Sequence, residues 1–305
     1  MPDNPLYISI EKVQLLPHFP SGSAMEFFDG NIYLVGDDAR HLLVMDKDYL
    51  PLLSISLFEG EEKRIPKKEK ADLESSAIIQ YKGASHLLIS GSASRSHRER
   101  IYLFSLPAHK LSTFETFDTD GFTDRLKDMG VTEVNMEGAA TVGTHLLMSN
   151  RGNKNNPDNL IFVTSPDFFL HQKTAAVQMV KIDMPHHDFP IGISSLCYNA
   201  AYDFLFFTAS VELTENAYDD GGIGDSYLGY IKNISALLHP GNFGRTSIIR
   251  PDALVNLSET SAVFTGQKIE SICFEQMEGE KMIAHLVSDN DTGESTLFKV
   301  HISVK

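Results

Sequence analysis

Residues 74–106 read ESSAIIQYKGASHLLISGSASRSHRERIYLFSL, and the plan of this stretch decides the fold. A small or acidic start leads into an apolar strand, a short turn, a second apolar strand, a polar loop and a third strand. The plan returns at residues 21–46 (SGSAMEFFDGNIYLVGDDARHLLVMD) and 137–165 (EGAATVGTHLLMSNRGNKNNPDNLIFVTS). It returns again at 194–231 (SSLCYNAAYDFLFFTASVELTENAYDDGGIGDSYLGYI) and 270–302 (ESICFEQMEGEKMIAHLVSDNDTGESTLFKVHI). Counted from Ser21, Glu74, Glu137, Ser194 and Glu270, the intervals are 53, 63, 57 and 76 residues, the length of a four-stranded blade with generous loops. Short runs rich in Val, Ile, Leu, Phe and Tyr, punctuated by Gly, Asn and Asp, are strands.

The sequence therefore predicts an all-β fold, a single five-bladed β-propeller over residues 1–305. The fifth repeat ends with three strands, and a strand at residues 6–15 precedes the first repeat without a blade of its own. Letting that strand complete the fifth blade closes the ring and removes an exposed edge. The competing architecture is six-bladed, with residues 246–264 as a degenerate blade that lacks the acidic start. Only residues 124–129 and 234–239 read as helical turns.

Composition narrows the function. A net charge of −15 disfavours nucleic acid and anionic membrane as partners, because their phosphates would be repelled. No apolar run is long enough to span a bilayer, and the N-terminal residues 1–14 lack the pattern of a signal peptide, so the expected location is cytoplasmic. The two cysteines, Cys197 and Cys273, sit in apolar runs and read as buried thiols rather than a disulfide or zinc framework. Oligomeric state is not legible.

Propeller geometry brings the start of each inner strand and the loop after each second strand to one end of the channel. Ser21, Glu74, Glu137, Ser194 and Glu270 are thus expected to ring that mouth. Three unpaired glutamates on a narrow axis repel, so either their pKa values rise or a cation sits among them. Oxygen donors without His or Cys suit a hard ion, Ca²⁺ ahead of Mg²⁺; the plainer alternative is that each Glu caps a strand. The mouth loops, at 36–40, 91–100, 150–159, 211–226 and 288–294, carry Asp37, Asp38, Arg95, Arg100, Arg151, Glu212 and Asp219. Arg95, Arg100 and Arg151 would grip an anion, and the acids are candidate bases. The histidines near Asp188 (His186, His187) belong to a surface connector, and no nucleophile elbow, P-loop or dinucleotide fingerprint occurs.

Through DLES, SGSASRSHR, NMEGAA, SNRGN, TENAYDDG and SDNDTGES, spread over nearly the whole chain, the sequence resembles a family of uncharacterised bacterial propeller proteins. That resemblance implies the fold and no particular chemistry. The Ser, Glu, Glu, Ser, Glu order around five blades is similar to the calcium-activated nucleotidases (apyrases). This second resemblance implies a channel calcium held by Ser21, Glu74, Glu137, Ser194 and Glu270, whereas the loops depart from the nucleotide-gripping sequences of that family. Two functions follow as expectations. One is a calcium-dependent hydrolase of a phosphorylated or other anionic small molecule; the other is a non-catalytic ligand- or protein-binding propeller with a structural metal.

Overall fold

The second strand of each repeat is an unbroken apolar run, such as HLLIS or FLFFTAS, which demands burial on both faces. The computed structural model, which describes residues 6–108, 113–212, 222–238, 247–275, 282–290 and 292–304, provides that environment by standing the sheets radially, face to face. Strand β1 (Leu6–Leu16) precedes the first blade. Blade one is β2 (Gly22–Phe28), β3 (Asn31–Gly36), β4 (His41–Asp46) and β5 (Pro51–Ser56). Blade two is β6 (Leu73–Tyr81), β7 (Ala84–Gly91), β8 (Arg100–Ser105) and β9 (Phe114–Asp118), followed by helix α1 (Asp120–Asp128). Blade three is β10 (Met136–Val142), β11 (His145–Asn150), β12 (Asn159–Thr164) and β13 (Gln178–Ile182). Blade four opens with β14 (Ile191–Asn199), β15 (Phe204–Glu212) and β16 (Ile223–Lys232), after which comes the short helix α2 (Ile234–Leu237).

The stretch that the six-bladed alternative needed does something else. Strand β17 (Ser247–Ile249) adds in parallel to the outer edge of β13, and β18 (Ala253–Asn256) completes blade four beside β16. Helix α3 (Leu257–Thr260) and a 3₁₀ turn (Ala262–Phe264) use up the remainder, so no sixth blade forms. Blade five is β19 (Ile269–Phe274), β20 (Met282–Asp289) and β21 (Ser295–Val304). Its fourth strand is β1, paired antiparallel to β21 from Leu6 opposite Val304 to Leu16 opposite Ser295. The ring is closed as the sequence predicts.

Among the described residues the core is five apolar clusters, one between each pair of neighbouring blades. Adjacent residues of a middle strand serve opposite interfaces. Leu87 packs toward blade one and Leu88 toward blade three; Leu205 faces blade three and Phe206 blade five. The 0–1% exposure of these four side chains explains why the runs do not alternate with polar residues. A buried polar chain reinforces closure: Tyr49 Oη, His285 Nδ1 at 2.9 Å, then His285 Nε2 to Glu275 at 3.0 Å and Glu275 to Lys299 at 3.0 Å. Lys299 also reaches Glu11 of β1 at 3.5 Å.

Candidate functional site at the channel mouth

All five inner strands begin with the same irregularity. The register between first and second strand slips between Gly22 and Ala24, Leu73 and Ser75, Met136 and Gly138, Ile193 and Ser195, and Ile269 and Ser271. The extra residues are Ser23, Glu74, Glu137, Ser194 and Glu270, each followed by a small side chain. A bulge frees one residue from the ladder and re-aims it, which is how the sheet presents a ring of side chains at the channel. Four of these bulge residues, Glu74, Glu137, Ser194 and Glu270, are members of the expected ring. The fifth is Ser23 rather than Ser21: Ser21 precedes the strand with φ +49° and lies buried beside the ring. Ser23 Oγ donates across to the Leu73 carbonyl of blade two.

Two further rings sit just outside the bulges. Residues two before each bulge are Ser21, Asp72, Asn135, Gly192 and Lys268. Opposite them, at the ends of the second strands, stand Asp37, Ser92, Arg151, Ser210 and Asp289. Arg151 fills the space that Gly192 leaves open, since a Cβ there would stand 2.6 Å from Arg151 Cγ.

The guanidinium of Arg151 is 6% exposed and lies 3.5 Å from Glu137, 3.4 Å from Glu212 and 3.9 Å from Glu270. It also donates to Ser194 Oγ at 2.9 Å and to Ser210 Oγ at 2.8 Å. Lys268 bridges Glu212 and Glu270, 2.8 Å from the latter. The position between Glu137 and Glu270 that the sequence reading reserved for an ion is therefore held by the protein's own cations. On the other side of the mouth Lys70 pairs with Asp37 and, at 2.8 Å, with Asp72. Arg98 and Ser92 Oγ each reach Asp72 at 2.6 Å. Glu74 takes no hydrogen bond or ion pair among the described residues. Carboxylate oxygens of Asp37, Asp72 and Glu74 lie within 4.8 Å of one another, the one such acidic triad among the described residues able to hold a metal.

Six carboxylates here (Asp37, Asp72, Glu74, Glu137, Glu212, Glu270) face four cations (Lys70, Arg98, Arg151, Lys268). The surplus appears as raised pKa values. Burial, then the charges of Glu137, Asp72 and Asp37, push Glu74 well above the carboxylate range. Burial lifts Glu137 to about 8, with Arg151 opposing and Glu270 assisting. Burial likewise takes Asp37 to about 6 against the pull of Lys70. Burial would raise Glu212 too, but Arg151 and Lys268 outweigh it and hold that group at about 2.

The three expected anion-gripping arginines do not converge. Arg151 is at the ring, whereas Arg100 lies half exposed on β8 and pairs outward with Asp118 at 2.9 Å. Arg95 is exposed on the loop that leads into a 3₁₀ turn. Asp38 is buried but bound to Arg64 at 2.5 Å, and Asp219 lies outside the described residues. Sequence reasoning passed over Ser23, Lys70, Asp72 and Lys268, and counted Arg98 only among the basic groups of the second mouth loop. A signal for two of these was present: DLES, NMEG and KIES share one frame, with Asp72 and Lys268 two residues before the glutamate.

Fold and mouth together define the class: a five-bladed β-propeller with a buried, surplus-acid cluster at one end of its channel. The chain belongs to the DUF6929 family, a family of unknown function whose pattern matches residues 18–302. No curated protein matches it in sequence. Among solved structures it is similar to the glutaminyl cyclase of Myxococcus xanthus, with TM-score 0.54, 12% identity and 98% of both chains covered. It is also similar to the tail fibre of Staphylococcus aureus phage P68, with TM-score 0.49, 7% identity, and coverage of 100% of this chain and 54% of that one. These likenesses concern the fold. No helix among the described residues is long and apolar enough to cross a membrane.

Proposed function

We propose that the channel mouth is a calcium-assisted acid–base site that hydrolyses a small molecule bearing a phosphate or other anionic group. The observation that carries this reading is the triad Asp37, Asp72 and Glu74, whose oxygens lie within 4.8 Å, set in a cluster with more carboxylates than cations. These hard donors fit Ca²⁺, with Mg²⁺ second. Asp37 Oδ1 is buried with no hydrogen-bond partner, which suits a ligand atom. Loading the ion requires Lys70 to leave its bridge between Asp37 and Asp72.

When bound, the ion would polarise the anionic group or acidify a water. Glu137, protonated up to about pH 8, is the group placed to give and recover a proton. Arg151 holds Glu137 in position and is itself occupied by three carboxylates, so the substrate's anion would meet the ion rather than a clamp of arginines. The test is a pair of thermal melts, in EDTA and in excess calcium, followed by a phosphate-release screen over nucleotides and sugar phosphates. A ligand at a hundred times its Kd stabilises by about 2.7 kcal/mol, and Glu74→Gln with Asp72→Asn should abolish that gain. No calcium-dependent shift, with no metal on elemental analysis, refutes the reading. The second reading is a non-catalytic binding propeller with a structural metal, favoured by the use of Arg151 and Lys268 as built-in counter-ions. It predicts calcium-dependent stability without turnover of any compound in the screen.

A further inference from the structure

At the far end of the channel the inner strands frame a second concavity. It measures about 200 Å³, room for roughly six or seven waters at ~30 Å³ each, and every inner strand contributes to it. All of its residues but Leu196 lie three or four positions past the bulges, about 10–13 Å along the strands from the mouth ring at ~3.3 Å per residue. The wall is asymmetric. Blades two and three supply Ile78, Ala140 and Thr141, while blades one, four and five supply three aromatic rings, Phe27, Tyr198 and Phe274. Beside these rings, three positions past their bulges, are Glu26, Cys197 and Cys273.

Glu26 is the one charged side chain that lines the concavity, and it makes no hydrogen bond or ion pair among the described residues. A desolvated carboxylate without a partner is costly, and burial raises the pKa of Glu26 well above its usual range. A metal is a poor match, because Glu26, Cys197 and Cys273 do not bring three ligand atoms within 4.8 Å of one another. A primary ammonium, with three N–H donors, would be served by the Glu26 carboxylate and the Thr141 hydroxyl, which keeps its lone pairs while donating to the Ile78 carbonyl at 2.8 Å, but it would leave the aromatic side of the wall unused. A methylated ammonium has no such donors to satisfy. Its charge is attracted to aromatic faces and to a carboxylate together.

We infer that this concavity is a second ligand site, for a compact quaternary ammonium group, with Glu26 as counter-ion and Phe27, Tyr198 and Phe274 as the aromatic wall. It is independent of the chemistry at the mouth. The probe is tetramethylammonium chloride, titrated by ligand-observed NMR on the intact protein, against the similarly sized neutral tert-butanol and a sodium chloride control. Saturable binding of the cation should weaken at least tenfold in Glu26→Gln and in Phe274→Leu, tighten as pH rises, and persist in Glu74→Gln. Because Glu26→Gln removes an unpartnered, half-buried acid, the variant should melt no lower than wild type. Equal affinity for the neutral isostere, unchanged binding in Glu26→Gln, or no saturation by 100 mM cation would each overturn the assignment.

Discussion

Glu137 shows what burial does to a single side chain. Its carboxyl accepts from Asn135 Nδ2 at 2.6 Å and lies 3.5 Å from Arg151, yet desolvation carries it from 4.5 to about 8. The folded form therefore binds a proton that the unfolded chain releases between those values. Stability from this group is complete below pH 4.5 and is lost as pH rises through about 8. Asp37 and Glu74 shift in the same direction, so their contributions have the same sign. Wild-type melting temperature is expected to fall from pH 5 to pH 9, and Glu137→Gln to fall less steeply. Parallel curves for the two proteins would show that Glu137 titrates near its ordinary value. Raised carboxyls at a glutamate ring were anticipated from the residue types alone. The identity of the neutralising partners was not, because Arg151 lies 119 residues from Glu270 in sequence and meets it only through the closed ring.

The bulge is the element that makes the site, and its cost and logic are local. One extra residue at the head of each inner strand takes a glutamate or serine out of the hydrogen-bond ladder. Period-two alternation places Ser21 and Ser23 on the same side of an ideal strand; the sequence pattern pointed to Ser21, whereas the slip between Gly22 and Ala24 makes Ser23 the bulge residue. Gly192 is the matching device on blade four. An alanine there would bring Cβ within 2.7 Å of Arg151 Nε and 2.9 Å of the Gly152 carbonyl, so the guanidinium must leave its pocket. Gly192→Ala should cost about 1–3 kcal/mol, as overpacking does. Arg151→Met, which strands three carboxylates, should cost about 3–5 kcal/mol. Adding Glu212→Gln to Arg151→Met should recover part of that loss. Urea midpoints measure all three; an Arg151→Met protein as stable as wild type would mean the ring does not depend on its internal cation.

At the scale of the whole molecule, closure carries the stability. Strand β1 covers the outer edge of β21 along its length, and Lys299 links Glu11 of that strand to Glu275 of the same blade. Removing residues 1–15 would leave the β21 edge open to pairing with other chains. The truncated protein is expected to aggregate on light scattering and to melt well below the full chain; a soluble, equally stable truncation would contradict closure by β1. Every blade interface is a continuous apolar cluster, so loss of one outer strand is felt around the ring rather than at one blade.

The sequence by itself determined the repeat, the blade count, the closing strand and four of the five bulge residues. Each of these is written in short-range pattern: strand periodicity, turn residues and a recurring start. Tertiary structure alone decided that Ser23 replaces Ser21, that residues 247–264 decorate blades three and four, and that Lys70, Arg98, Arg151 and Lys268 enter the acid cluster while Arg100 turns outward to Asp118. It also decided that the far end of the channel holds Glu26 among aromatic rings. The physical reason is range. Pattern within a strand specifies which face a residue occupies, but the partner of a buried charge is whichever opposite charge the closed ring brings within a few ångströms, and that depends on every blade at once.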